Sequence, residues 1–95
     1  MAFASKKNTK LADTLRVLGS GVRIQILEFL LRNEGEHNVS AIQSTLKISQ
    51  SALSQNLSML KMKGFVISKV HKQERLYSIK DQKIREYLES IFSLY

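Results

Sequence analysis

The sequence predicts a mainly α-helical protein with a single small β-hairpin. Leucine and isoleucine recur at the three- and four-residue spacing of amphipathic helices along most of the chain. The period changes only in FVISKVHKQERLYSI, residues 65–79, which is rich in β-branched and aromatic residues. With 95 residues the chain is near the lower end of what buries its own core. We therefore expect one domain of about five helices and a two-stranded hairpin.

The composition narrows the classes of partner. Fifteen Lys and Arg against eight Asp and Glu give a formal net charge of +7, which favours polyanions such as nucleic acid or acidic lipid headgroups. No acidic residue lies between Glu36 and Glu74, so the positive charge is concentrated in the middle of the chain. The absence of cysteine excludes disulfides and thiolate metal sites. No apolar run reaches the roughly 18 residues of a membrane span, and we expect a cytoplasmic protein.

The amino-terminal part is predicted to be an arm followed by a helix. Residues 1–8 show no apolar periodicity and are expected to form a flexible basic arm, ahead of a domain that spans residues 9–95. The first helix should occupy residues 9–18 and end at the sequence GSG. Its apolar stripe consists of Leu11, Leu15 and Leu18.

The second helix is predicted to be central in the fold. Ser20 is a suitable N-cap, and Gly35 is the expected stop signal. The segment between them, VRIQILEFLLRNEG, is apolar around most of its circumference. A helix of that kind packs on several sides, so this one should form the core.

A helix-turn-helix is predicted next. Residues 40–46 form a short helix, the chain turns through Lys47 and Ile48, and Ser49 caps a longer helix. In that longer helix three leucines share the inward face, and the same 3.6-residue period turns four polar residues outward. The inward residues are Leu53, Leu57 and Leu60, and the outward ones are Ser51, Ser54, Gln55 and Ser58.

Small polar side chains on an exposed helix face suit a DNA major groove. They let the helix backbone approach the base edges closely. Ser donates or accepts a hydrogen bond, and Gln forms a bidentate pair of hydrogen bonds with adenine. Serine is a mediocre helix former, so a face optimised only for stability would carry Glu, Lys or Ala instead. The polar face therefore favours DNA contact over a merely solvated surface.

The predicted hairpin is basic at its tip. Its strands are residues 65–70 and 75–79, with the tip near Lys72 and Gln73. A hairpin that only covers the core explains its apolar residues, but it does not explain the four basic or titratable side chains around the tip. These are Lys69, His71, Lys72 and Arg75. A basic hairpin directly after such a helix predicts a winged helix-turn-helix.

The last helix carries more apolar surface than a lone surface helix needs. It is capped by Asp81, and its stripe consists of Ile84, Leu88 and Ile91, joined by Tyr87, Phe92 and Tyr95. We expect a two-fold homodimer to cover this stripe, built from the first and last helices. The predicted interface residues are Leu11, Leu15, Ile84, Leu88 and Ile91.

Residues 11–94 resemble the arsenical-resistance repressor (ArsR) family of dimeric winged helix-turn-helix regulators. The resemblance is carried by LGSGVRIQILEFL, by ISQSALSQNLSMLKMKGFV, which is the most specific part, and by RLYSI. The run SQSALSQ is most similar to the haemolysin-regulator branch of the family. The resemblance implies that the helix beginning at Ser49 enters the major groove and that the hairpin reaches toward the minor groove.

Carried over position by position, the resemblance implies two sets of DNA-binding residues. The base-contact candidates are Gln50, Ser51, Ser54 and Gln55. The phosphate-contact candidates are Lys47, Ser49, Lys72 and Arg75.

This sequence departs from the metal-sensing and thiol-sensing members of the family. Those members use cysteines at the start of the first motif helix, or histidine with carboxylates on the last helix. The matching stretches here, HNVSAIQ and DQKIREYLES, contain no cysteine and no histidine pair. His37 and His71 are isolated, and isolated histidines are far more often solvated than ligands. We expect no metal or other cofactor, and the sequence does not reveal an inducer. The wing tip HKQER also lacks the glycine that is common there.

The predicted function is a sequence-specific double-stranded DNA-binding transcriptional regulator, a repressor that binds a pseudo-palindromic operator as a homodimer. The main alternative is a winged-helix module that binds protein, hinted at by Met59 and Met62. A peripheral membrane protein is a weaker alternative, because the most basic region is a hairpin rather than an amphipathic helix. No paired carboxylates, nucleophile and base set, or glycine-rich phosphate loop indicates an enzyme.

Overall fold

A computed structural model describes residues 5–95, which form five helices and three strands. The helices are α1 (Lys6–Leu18), α2 (Gly21–Arg32), α3 (Val39–Leu46), α4 (Gln50–Met62) and α5 (Gln82–Phe92). The strands are β1 (His37–Asn38), β2 (Val66–His71) and β3 (Glu74–Ile79). The predicted fold class is confirmed.

The helix α1 begins three residues earlier than the sequence predicted. Ser5 caps it, because its Oγ accepts a hydrogen bond from the backbone N–H of Asn8 at 3.1 Å. Residues 6–8 are therefore helical, and the predicted start of the first helix at residue 9 is wrong, whereas the domain boundary between residues 8 and 9 stays a prediction. The first turns are exposed, so no apolar periodicity marked them. The rest of the predicted arm, residues 1–4, lies outside the described residues.

The core is built around α2, as its apolar circumference predicted. Ile26, Leu27 and Leu30 are essentially inaccessible to solvent. Ser20 is the N-cap, as predicted, but the helix ends at Arg32, earlier than the expected stop at Gly35. The backbone leaves the helical conformation at Asn33, with φ −121° and ψ 86°, and both the backbone N–H and the Nδ2 of Asn33 donate to the carbonyl of Phe29, at 3.0 and 2.9 Å.

The sheet has three strands rather than the two that were predicted. Beside the β2–β3 hairpin, β1 pairs antiparallel with β3, and Asn38 lies opposite Leu76. A two-residue strand has no alternation to recognise in the sequence, and only its long-range partner identifies it. Asn38 also caps α3, its Oδ1 accepting from the backbone N–H of Ala41 at 2.8 Å. The sheet thus leads directly into the helix-turn-helix.

The end of α4 fixes the start of the wing. Gly64 adopts φ +84°, the left-handed conformation that glycine tolerates best. The backbone N–H of Gly64 donates to the carbonyl of Lys61, and that of Phe65 donates to the carbonyl of Leu60, at 3.1 and 2.9 Å. This is the Schellman arrangement, which ends the helix and turns the chain into β2.

Candidate nucleic-acid interface

One side of α4 anchors it to the core and leaves the opposite side to solvent. Leu53, Leu57 and Leu60 are fully buried, as the leucine spacing predicted. The Oγ of Ser49 accepts from the backbone N–H of Ala52 at 3.2 Å and caps the helix. The exposed polar residues on the other side are Gln50, Ser51, Ser54, Gln55 and Ser58. No acidic side chain belongs to α4.

The turn between α3 and α4 places a lysine at the start of α4. Lys47 adopts the left-handed conformation with φ 59° and ψ 38°, and its backbone N–H donates to the carbonyl of Gln43 at 2.8 Å. Ile48 packs against the core, whereas Lys47 and Ser49 are exposed. Both exposed residues therefore lie at the positive end of the α4 dipole, where phosphate groups are favoured.

The wing has the hairpin tip that the sequence predicted. Lys72 and Gln73 are its two tip residues, with φ of 50° and 71°. Positive φ at both central residues is the pattern of a type I′ turn, which matches the twist of the flanking strands. The missing glycine is thus replaced by two non-glycine residues in the left-handed region.

The positive charges of the wing are not equally available. Lys69 Nζ lies 2.9 Å from a carboxylate oxygen of Glu36. Arg75 donates from Nη1 to Ser68 Oγ at 3.1 Å. Within residues 5–95 neither Lys72 nor Arg75 forms an ion pair, so their charges are uncompensated and exposed. Glu36 thus neutralises a lysine of the wing, although the segment that contains Lys69 has no acidic residue of its own.

All eight predicted DNA-binding residues are exposed. Six lie on α4 or on the turn before it, and two lie on the wing. They are Lys47, Ser49, Gln50, Ser51, Ser54, Gln55, Lys72 and Arg75. Their contact with DNA stays a prediction.

The predicted dimer stripe on α5 is corrected at Leu88, whereas Ile84 and Ile91 are half-buried and stay predicted interface residues. Leu88 is 1% exposed and belongs to the core of the protomer itself, against which Ile84 and Ile91 also pack. The amphipathic pattern could not distinguish the chain's own core from a partner. Leu11 and Leu15 on α1 are 50% and 55% exposed, so they do remain open to a partner.

Other apolar residues of the carboxyl-terminal segment are the exposed ones. Tyr87, Leu94 and Tyr95 are all accessible to solvent. The radius of gyration, 14.2 Å, exceeds the roughly 12 Å of a compact domain of this length. In α1 only Val17 and Leu18 are buried, so most of this helix is accessible to solvent.

The two histidines differ in their surroundings. His37 stands edge-on to the ring of Phe29, with centroids 5.1 Å apart, and its Nε2 lies 2.8 Å from the carbonyl of Asn33. It therefore packs at the end of α2, while His71 is exposed on the wing. In the part of the chain from residue 5 onward, no three His, Asp or Glu side chains cluster as metal ligands would.

One ion pair ties α1 to the end of α4. Lys63 Nζ lies 2.8 Å from Asp13 Oδ2, and Arg16 Nη1 lies 3.2 Å from Asp13 Oδ1. The hydrogen bond from Lys63 is the largest cause that lowers the pKa of Asp13 below its usual value of 3.8. Sequence reasoning missed this pair, because the two residues are 50 positions apart.

These features define the class of protein. A buried-leucine helix with an outward polar face, a short helix before it and a basic hairpin after it make a winged helix-turn-helix. None of the helices formed by residues 5–95 is long and apolar enough to cross a membrane.

The family model described as "Bacterial regulatory protein, arsR family" matches residues 20–68. The chain belongs to this family, whose members are transcriptional regulators and not enzymes.

Known relatives match over nearly the whole chain. The transcriptional activator HlyU of Vibrio cholerae is 33% identical over 95% of this chain and 82% of its own length. A solved HlyU structure from that organism superposes with a TM-score of 0.83, covering 96% of this chain and 97% of the other. The biofilm growth-associated repressor of Xylella fastidiosa is 24% identical over 95% of this chain and 77% of its own. The resemblance to the haemolysin-regulator branch is thus confirmed.

A further solved relative is a homodimer. The homodimeric winged helix-turn-helix DNA-binding domain of Mb0332 from Mycobacterium bovis superposes with a TM-score of 0.79 at 26% identity. The match covers 99% of this chain and 89% of that domain.

Proposed function

We propose that this protein is a sequence-specific regulator of transcription that binds a pseudo-palindromic operator in double-stranded DNA as a homodimer, in the cytoplasm. The observation that carries the proposal is the outward face of α4, which is polar from Gln50 to Ser58, free of acidic residues and held by three buried leucines. Its N-terminus lies beside Lys47, and an uncompensated Lys72 marks the wing tip. Phosphate contacts at these two places would align α4 with the base edges of the major groove.

We infer dimerisation from the exposed apolar residues of α1 and the carboxyl-terminal segment. Leu11 and Leu15 on α1, with Tyr87, Leu94 and Tyr95, leave an apolar surface that a second copy would cover. The homodimeric relative supports self-association. Two recognition helices about 34 Å apart would then read half-sites one turn of DNA apart.

We propose repression as the mode of regulation. A dimer on a promoter blocks access to the DNA it covers, and the Xylella relative is a repressor. The Vibrio relative is an activator, so activation is the competing mode. A reporter gene placed behind the selected operator decides between them: loss of this protein should raise its expression, whereas a fall would mean activation.

The experiment for DNA binding is selection of duplexes from a random pool by the purified protein, followed by sequencing. We expect an inverted repeat with half-site centres about 10 base pairs apart and affinity that falls steeply with salt. The absence of any salt-sensitive binding by the wild type would refute the proposal.

Control by direct metal or thiol chemistry is not expected. The chain contains no cysteine, so neither peroxide nor arsenite has a thiol to modify. The protein–DNA complex should persist in low micromolar zinc and in peroxide, as measured by fluorescence anisotropy. Release by zinc that a chelator reverses would show a coordinating site.

A protein-binding winged helix is the second candidate. Met59 and Met62 on α4 are 37% and 77% exposed, which is the one observation that favours it. In that case Met62→Ala would abolish the interaction while the serines and Gln55 could be replaced without effect.

A further inference from the structure

The side chain of Arg23 connects three helices. It lies in the first turn of α2 and is partly buried. Its Nε donates to the backbone carbonyl of Val17 at 2.6 Å, and its Nη1 donates to Asn56 Oδ1 at 3.0 Å. One guanidinium therefore joins the end of α1 to the middle of α4.

Each of these contacts satisfies a group that has few other partners. The carbonyl of Val17 is one of the last four of α1, which lack intrahelical donors, and a cation is favoured at that end of the helix dipole. Asn56 donates from Nδ2 to the carbonyl of Ala52 at 2.7 Å, one turn earlier in α4. Because Nδ2 is used in that bond, the side-chain oxygen Oδ1 faces Arg23, whose guanidinium group can only donate hydrogen bonds. Asparagine is a weak helix former, so its place inside α4 calls for such a partner.

Asn56 lies on the flank of α4, between its buried and its exposed side. At 100° of rotation per residue about the helix axis, Asn56 is about 60° from Leu53 and about 100° from Gln55. Contacts among buried leucines are not directional, so they restrain rotations of a helix about its axis less sharply than a polar contact does. A hydrogen bond is directional and resists them. The contact with Arg23 thus restrains the direction in which the exposed face of α4 points.

The same helix pair is joined at a second place. Lys63, the C-cap of α4, forms its ion pair with Asp13 of α1. Both polar links run to α1, the helix that also exposes Leu11 and Leu15. In a dimer built on α1, these links would transmit the position of the interface to each recognition helix.

We propose that Arg23 and Asn56 are positioning residues that set the rotation and spacing of the recognition helix relative to the dimer helix, and so determine sequence discrimination without contacting DNA. The proposal rests on the DNA-binding function proposed above. It distinguishes the residues that contact bases from those that hold the recognition helix α4 in position.

The test compares affinity for a selected inverted repeat with affinity for a random duplex of the same length. Asn56→Ala removes the acceptor but favours the helix, because alanine is the better helix former. We expect the affinity for the selected repeat, divided by the affinity for the random duplex, to fall about three- to tenfold, which is the effect of one hydrogen bond. We also expect a smaller penalty on sites whose half-site spacing is changed by one base pair. A purely structural residue would leave both quantities unchanged.

Two variants provide matched controls. Asn56→Asp keeps the acceptor for Arg23, so the ratio should stay within about twofold of the wild type although the added charge weakens binding to both duplexes. Gln25→Ala changes an exposed polar residue of the same helix as Arg23 and should leave both affinities unaltered. Circular dichroism verifies that each variant is folded.

The outcomes separate this proposal from the one it rests on. If the wild type discriminates and Asn56→Ala discriminates equally well, the positioning role is rejected and DNA binding stands. If Asn56→Ala is unfolded, Arg23→Lys replaces it, because lysine lacks the fork that serves both acceptors. An unchanged ratio in Arg23→Lys would then reject the role. A wild type without salt-sensitive DNA binding removes the proposed function itself.

Discussion

Gln55 and Lys72 are both exposed, but they should contribute to DNA binding in different ways. If Gln55 pairs with a base edge, Gln55→Ala should cost about 1–3 kcal/mol on the selected operator and little on random DNA. Titrations of the two duplexes by fluorescence anisotropy measure the difference, with Gln25→Ala as the control. Equal losses on both duplexes would mean that Gln55 does not read a base.

Lys72 is expected to neutralise a phosphate. Lys72→Ala should weaken selected and random duplexes alike, and the slope of log K against log salt should become shallower by about 1. Lys83→Ala removes the same charge from an exposed position on α5 and should leave the slope unchanged. A loss confined to the operator would assign Lys72 a part in sequence reading instead.

At the scale of the element, the wing contains two strained positions. Gln73 has φ 71°, a conformation that costs an ordinary L-residue about 1 kcal/mol and glycine nothing. Gln73→Gly should therefore stabilise the protein by up to about 1 kcal/mol, which corresponds to a Tm about 4–8 °C higher. Thermal unfolding followed by circular dichroism measures it.

The control for this substitution is His71→Gly, at the exposed end of β2, where φ is negative. Glycine there only adds freedom to the unfolded chain and should lower the Tm. If both glycine variants lower the Tm equally, the tip does not hold Gln73 in the left-handed region.

The contact between α1 and α4 should make stability depend on pH in the acid range. The folded-state pKa of Asp13 lies below its usual value because Lys63 and Arg16 favour the carboxylate. A lowered pKa stabilises the fold at pH values above the unfolded pKa, and this contribution disappears as the pH falls through the folded one. Asp13→Asn should therefore be less stable than the wild type at pH 7, with the difference vanishing once Asp13 is protonated.

Urea denaturation at a series of pH values between 7 and 2 measures that difference. High salt should also reduce it, because Asp13 and Lys63 are exposed to solvent. A difference that stays constant down to pH 2 would assign the effect to packing rather than to charge.

At the scale of the whole molecule, the dimer should depend on α1 more than on Leu88. Leu15→Asp places a charge on an exposed apolar position, so we expect folded monomers that bind the operator weakly. Multi-angle light scattering at micromolar concentration measures the assembly. Thr9→Asp adds the same charge to α1 outside the stripe of Leu11 and Leu15 and should leave the dimer intact.

Leu88→Asp should behave differently, because Leu88 is buried in the protomer. A charge at that position has no partner in the core, and the expected result is unfolding rather than dissociation. Folded monomers of Leu88→Asp, or a monomeric wild type, would contradict this division between core and interface.

The sequence by itself determined the features that depend on neighbouring residues. Ser20, Ser49 and Asp81 cap the helices that they were predicted to cap, since an N-cap bond spans only three residues. The leucine spacing of α4 and the change of period at the hairpin are equally local, so the winged helix-turn-helix and its outward polar face could be predicted. Family resemblance added the assignment of those outward residues to DNA.

Only the tertiary structure decided what depends on residues far apart in the chain. It paired β1 with β3, placed Leu88 in the protomer's own core and left Leu11 and Leu15 open. It also brought Arg23 to Asn56, 33 residues away, and Asp13 to Lys63. The reason is physical: a helical period shows which residues share a face but not which surface covers that face. A short strand or a polar side chain is defined only by its distant partner.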